Sequence, residues 1–74
     1  MIQPLHSAIL HKLAEICELS PDTRFGQMID FVGFLGQDMI DEPLAQIDDE
    51  EFLRVLERHL TDLNSRRERA EQPA

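Results

Sequence analysis

Apolar residues recur along the chain at spacings of three and four, which is the period of an α-helix with one buried face. Three such stretches are separated by two turns, which contain Pro21 and Pro43. No stretch alternates apolar and polar residues as a half-buried strand would. The pattern therefore predicts an all-α protein, a compact three-helix bundle with helices at about residues 4–19, 23–38 and 48–65.

The first predicted helix begins at Pro4, because a proline at the first helical position lacks an N–H that would have no partner there. Ser20 and Pro21 are expected to end it, since proline disfavours a helical residue before it. One side of this helix is expected to face the core. That side carries Leu5, Ile9, Leu10, Leu13, Ile16 and Cys17.

The second predicted helix is apolar on more than one side. Its core stripe consists of Phe25, Met28, Ile29, Val32, Leu35 and Met39. Phe31 and Phe34 lie off that stripe, beside Asp30 and Asp38, and either pack on the other helices or form an exposed aromatic patch for a partner or a second copy. A helix that is apolar nearly all round is typically central, which predicts a central second helix that two others leave partly uncovered.

Two glycines stack on one side of the second helix. Gly26 and Gly33 are seven residues apart, and each costs about 1 kcal/mol relative to alanine inside a helix. Two such costs on one side indicate a close approach by another element. That element is either another helix of this chain or a second subunit. Gly36 is expected to reflect fraying at the C-terminus of the helix.

The third predicted helix starts at the strongest capping pattern of the chain. Asp48 and Glu51 can form a capping box, and Ile47 and Phe52 stand where a hydrophobic staple needs them. Asp49 adds negative charge at the positive end of the helix dipole. These features predict a stable helix start.

Composition adds limits on function. The 74 residues include seven basic and fifteen acidic ones, for a formal net charge of −8, so nucleic-acid binding is not expected. No apolar run is long enough to span a membrane, and no basic start of a secretory signal precedes the first helix.

Cys17 is the single cysteine, which excludes an internal disulfide and predicts a cytoplasmic location. Residues 1–64 are expected to form one helical domain, and the polar residues 65–74 a frayed or disordered tail.

The acidic residues concentrate between the second and third helices. Residues 38–51 hold seven acidic residues and no basic one. Their spacing is not that of a calcium loop. The segment is either a solvated loop with a capped helix start or a docking surface for a basic partner, with Asp41 and Glu42 as the candidate contacts.

No pattern indicates catalysis. The soft ligands are His6, His11, His59 and Cys17, and no pair of them has the close spacing of a zinc site. Nothing orients Cys17 towards a histidine as a nucleophilic pair requires. We therefore expect neither an enzyme nor a metal or other cofactor.

Arg24 stands at the start of the second helix, where a positive charge meets the unfavourable end of the dipole. It is expected to pair with Asp49 or Glu51, or to form a polar connection between helices together with Gln27. Ligand binding by Arg24 and Gln27 is the alternative.

Two segments carry a resemblance, Arg24-Phe25-Gly26-Gln27 and Asp48-Asp49-Glu50-Glu51-Phe52-Leu53. The chain resembles a group of small bacterial proteins of unassigned function in which these sequences begin two successive helices. The resemblance implies no activity. It implies a structural signature formed by Arg24, Gly26, Gln27, Asp48, Asp49 and Glu51.

The sequence thus predicts a small cytoplasmic helical protein–protein interaction module that is a homodimer through its second helix. The candidate partner-binding residues are Gly26, Phe31, Gly33, Phe34, Asp41 and Glu42. The alternative is an acidic accessory or inhibitor protein, antitoxin-like or adaptor-like, that docks on a basic partner protein.

Overall fold

A computed structural model describes the backbone of residues 1–71 and the side chains of residues 1–67. It contains helices α1 (Pro4–Leu19), α2 (Phe25–Ile40) and α3 (Asp49–Glu71), with a 3₁₀ turn at Leu44–Gln46 between α2 and α3. No strand occurs in this part of the chain. The predicted all-α three-helix bundle is therefore confirmed.

Two helices differ from their predicted bounds. α2 begins and ends two residues later than the predicted 23–38. α3 continues to Glu71, past the predicted end at 65, because this segment is rich in Arg and Glu, which favour the helix. The first residues of the predicted tail are thus helical, and its last residues, 72–74, lie outside the described residues.

The central helix is α3, which packs against both α1 and α2. Its neighbouring residues Val55 and Leu56 are both fully buried, so α3 presents apolar side chains in two directions. The prediction that the second helix is central is therefore wrong. α2 packs against α3 and the 3₁₀ turn, and its opposite side is exposed.

The core draws on all three helices and on the linker before α3. Its fully or nearly buried members are Ile16, Met28, Val32, Ile47, Val55, Leu56 and Leu60. Leu10 and Phe25, which were expected to face the core, are 53% and 62% exposed. Leu10 lies about 120° around α1 from the buried Ile16, so it is off the buried side of that helix. Phe25 lies on the same side of α2 as the buried Val32, but it is the first residue of the helix and is exposed there.

Candidate interaction surfaces

The described residues offer exposed aromatic side chains and several open clefts as candidate sites. They contain no group of three or more His, Cys, Asp or Glu side chains placed to hold a metal ion. The sulfur atom of Cys17 lies 3.6 Å from the sulfur atom of Met28, in the contact between α1 and α2. None of the described helices is both long enough and apolar enough to cross a membrane.

The outer face of α2 is the exposed side of this helix, which reaches from the side opposite α3 to the edge of the contact with α3. The buried residues Met28, Val32 and Gly36 recur every four positions and define the inner side. The opposite side is exposed along the whole helix. We define the outer face as the exposed residues Gly26, Gln27, Asp30, Phe31, Phe34, Gln37 and Asp38.

Phe31 and Phe34 form a stacked aromatic pair on this outer face. Their ring centroids are 6.3 Å apart with an interplanar angle of 24°. Phe34 is 65% exposed and Phe31 is 43% exposed, so the two rings are not buried against α1 or α3. Phe31 also contacts His59 of α3, at 5.0 Å between ring centroids. The contact with His59 holds one ring of the pair in place, and the other ring points into solvent.

The contact between Phe31 and His59 lies beside a cleft between α2 and α3 that also includes Leu63 and Arg66. Burial lowers the pKa of His59; the Asp62 carboxylate acts in the opposite direction, and the Arg66 guanidinium lowers the pKa further. The imidazole is therefore neutral at pH 7, which suits a ring that packs on phenylalanine.

Gly26 and Gly33 lie at the edge of the outer face that is remote from Phe31. A Cβ atom added at either glycine would have no neighbouring atom within 4 Å. No other described helix comes within that distance of either position, so packing among the described residues does not account for these glycines. They leave the backbone without a side chain at two positions of the helix, and the exposed side chain of Asp30 lies between them, beside Phe34.

Asp41 and Glu42 lie beyond the end of α2 and are not part of its outer face. Asp41 ends the helix in the left-handed conformation, with φ of 64°, and its N–H donates to the carbonyl of Gln37 at 3.0 Å. Its carboxylate also accepts a hydrogen bond from Nε2 of Gln37 at 3.3 Å. Aspartate tolerates this conformation better than most residues. Asp41 therefore adjoins the C-terminal end of the outer face, in contact with Gln37, and its conformation has a structural role in ending the helix.

The start of α2 is held by a local hydrogen bond. Oε1 of Gln27 accepts from the backbone N–H of Arg24 at 3.1 Å, which is one half of a capping box. Among the described residues Arg24 forms no ion pair, so the predicted pairing with Asp49 or Glu51 is wrong. Gln27 connects to its own helix start rather than to another helix, and the partner of Asp49 is His6.

The start of α3 is tied to α1. The carbonyl of Asp48 accepts from the N–H of Phe52 at 2.8 Å, but the described hydrogen bonds include neither side-chain bond of the predicted capping box with Glu51. Nε2 of His6 and Oδ2 of Asp49 are 2.8 Å apart, so the imidazole donates to the carboxylate. This pair joins the first turns of α1 and α3.

A groove that the sequence did not indicate lies between α1, the 3₁₀ turn and the start of α3. Its volume is about 460 Å³. Its lining consists of His6, Ile9, Leu10, Leu44, Ala45, Ile47, Asp49 and Phe52. Asp49 also lines a second cleft, which therefore adjoins this groove. The second cleft is lined by Leu5, Asp48, Asp49, Glu50, Glu51 and Arg54.

Comparison with known proteins adds no relative: no protein-family model matches the chain, and neither does any curated protein or solved structure. The resemblance to small bacterial proteins stays a prediction. The surfaces described above are therefore the basis for a functional proposal.

Proposed function

We propose that this chain is a small helical protein–protein interaction module that forms a homodimer through the outer face of α2. The observation that carries the proposal is the exposed stacked pair, Phe31 and Phe34. Burying a phenylalanine side chain contributes about 1.5–3 kcal/mol, and exposed aromatic rings are enriched at the centres of protein interfaces. A cytoplasmic location is part of the proposal, since Cys17 is the single cysteine of this small chain.

The distribution of charge favours this face for self-association. Between Phe25 and Ile40 the only charged side chains are Asp30 and Asp38. Each copy carries a formal net charge of −8, so two copies repel one another over most of their surfaces. Both aspartates belong to the outer face, so the proposed dimer must keep them at its rim, where water and salt screen their mutual repulsion.

The glycine edge supports the same proposal. Gly26 and Gly33 each cost the isolated helix about 1 kcal/mol, and among the described residues no atom of another element lies within 4 Å of the Cβ position that either glycine leaves open. In a twofold dimer every contact occurs twice. The Phe34 ring of each copy would then lie over a glycine of the other copy, next to the Asp30 side chain that separates the two glycines.

The proposed interface is small. The exposed parts of the two rings amount to on the order of 200 Å² per copy, because a phenylalanine buries at least about 150 Å² in total. A stable complex of standard size uses about 800 Å² per partner. We therefore expect a dimer that dissociates on dilution in the micromolar range rather than an obligate one.

Light scattering coupled to size-exclusion chromatography tests the proposal with a matched pair of variants. Phe25 and Phe34 belong to the same helix and are 62% and 65% exposed, but they lie on opposite sides of it. Phe34→Ser is expected to give a monomer at concentrations where the unchanged chain is dimeric. Phe25→Ser is expected to leave the dimer intact.

Circular dichroism checks that both variants retain their helices. Equal loss of the dimer in Phe34→Ser and Phe25→Ser would show that any exposed ring contributes, and would contradict an interface on the outer face. A monomeric unchanged chain at about 500 µM, a concentration well above a micromolar dissociation constant, would contradict the homodimer itself.

A further inference from the structure

The floor of the groove between α1, the 3₁₀ turn and α3 is apolar and open. Leu10 of α1 and Leu44 of the 3₁₀ turn line it, and Ile47 and Phe52 lie at its base. Leu10 is 53% exposed although it belongs to a helix with a buried face. The volume of about 460 Å³ is within the range of clefts that take up large apolar groups.

The adjoining cleft is strongly acidic. Four consecutive carboxylates, Asp48 to Glu51, line it together with Leu5, and Arg54 is the only basic residue in its lining. Asp49 belongs to both clefts and is half-exposed beside His6. An apolar hollow is thus continuous with a cluster of carboxylates that attracts cations and repels anions.

We infer that the groove binds an amphipathic segment of a partner protein, whose apolar side chain enters the hollow while neighbouring Lys or Arg side chains meet the carboxylates of Asp48 to Glu51. The charge of the site decides the occupant. A nucleic-acid backbone is repelled by these carboxylates, and a second copy of this chain has only seven basic residues against fifteen acidic ones, so a basic segment of a different protein fits the site better. The site shares no residue with the outer face of α2, so it stands independently of the proposed dimer.

A pair of synthetic peptides tests this site. One has about 15 residues, with Leu at i and i+4 positions and Lys at most others, and the second has Glu in place of every Lys. Each is titrated into the isotope-labelled full chain, and binding is followed by the chemical shifts of its backbone amides. The basic peptide is expected to shift amides of Leu10, Leu44 and Asp49, and the acidic peptide is expected to shift none.

Two variants at half-exposed positions test the apolar and the acidic part of the site, and a third variant on another surface is the control. Leu10→Ser removes an apolar contact without adding a charge and is expected to weaken binding of the basic peptide about fivefold or more. Asp49→Asn is expected to weaken it as well, and the effect of Asp49→Asn should shrink as salt is added. Phe34→Ser, on the outer face of α2, is expected to leave peptide binding unchanged while it weakens the dimer.

Four results would overturn the inference. The first is equal binding of the two peptides, and the second is no binding of either. The third is a set of shifts confined to the Asp48–Glu51 segment with binding insensitive to Leu10→Ser, which would mean attraction to the acidic cleft alone. The fourth is loss of the dimer in Leu10→Ser, which would assign the groove to a second copy.

Discussion

The Cδ1 atom of Ile47 lies 2.5 Å from the point that a Cβ atom on Gly36 would occupy. Gly36 is buried in the last turns of α2, and Ile47 is buried in the linker just before α3. This contact holds the linker against α2. Close packing therefore explains the glycine, and the expectation that it reflects fraying of the helix end is wrong.

Exchanging glycine for alanine should have opposite effects at two positions of α2. Gly33→Ala should stabilise the isolated chain by up to about 1 kcal/mol, because alanine favours the helix and no atom lies within 4 Å of the new methyl group. Gly36→Ala should destabilise the chain by about 1 kcal/mol, because overpacking against Ile47 outweighs the same gain in helix propensity. Urea unfolding of both variants measures the two free energies.

A double variant isolates the contact with Ile47. Ile47→Val removes the Cδ1 atom, so Gly36→Ala should cost clearly less stability in that background than in the unchanged chain. If Gly36→Ala is as stabilising as Gly33→Ala in the unchanged chain, the close packing described here does not constrain α2.

Acidification should destabilise the chain in part through His59. Burial holds its pKa in the folded chain below the value of about 6.5 that it has when unfolded, so the unfolded chain takes up the proton first. The stability contributed by neutral His59 is therefore complete above pH 6.5 and is lost as the pH falls from there through the folded pKa. His59→Gln should reduce the loss of unfolding free energy between about pH 7.5 and about pH 5.5. An identical loss in the two chains would contradict the assigned burial of the imidazole.

Salt should act in opposite directions on the two proposed surfaces. Adding NaCl from about 50 mM to about 300 mM screens the repulsion between two chains of net charge −8, so the dimer should become tighter. The same addition should weaken binding of the basic peptide, because that contact relies on attraction to Asp48–Glu51. Sedimentation equilibrium and peptide titration measure the two effects. Salt weakening of both would indicate that the dimer also uses the acidic cleft.

Asp41 is a position where glycine should be accepted. Its φ of 64° belongs to the left-handed region, which glycine adopts without a steric cost. Asp41→Gly should leave the melting temperature unchanged or raise it by a few degrees, whereas Asp41→Val should lower it, since a β-branched side chain opposes this conformation. Equal melting temperatures for the glycine and valine variants would contradict a structural role for Asp41.

The helices could be predicted from the sequence, but their arrangement could not. Spacing of apolar residues located all three, and proline positions located the turns. The breadth of the apolar surface on α2 suggested a central helix, yet Val55 and Leu56 give α3 the buried position. The breadth of a helix's apolar surface alone does not show whether the rest of the chain covers that surface or leaves part of it exposed.

The candidate sites show the same limit. The sequence singled out Phe31 and Phe34 and left burial and exposure open, because a helix period does not say which neighbour covers its second side. The groove was missed altogether. Its lining comes from α1, the 3₁₀ turn and α3, and the pair of His6 and Asp49 beside it joins residues that are 43 positions apart. Only the packed fold brings these residues together.

Contacts between copies test the central proposal most directly. In an equal mixture of ¹³C-labelled and unlabelled chains, isotope-filtered NMR detects only contacts that cross from one copy to the other. The proposed dimer predicts intermolecular contacts from the ring of Phe34 to Gly26 and Gly33 of the other copy. Absence of any intermolecular contact at about 500 µM chain, or contacts that start from Leu10 and Leu44 instead, would contradict an interface on the outer face of α2.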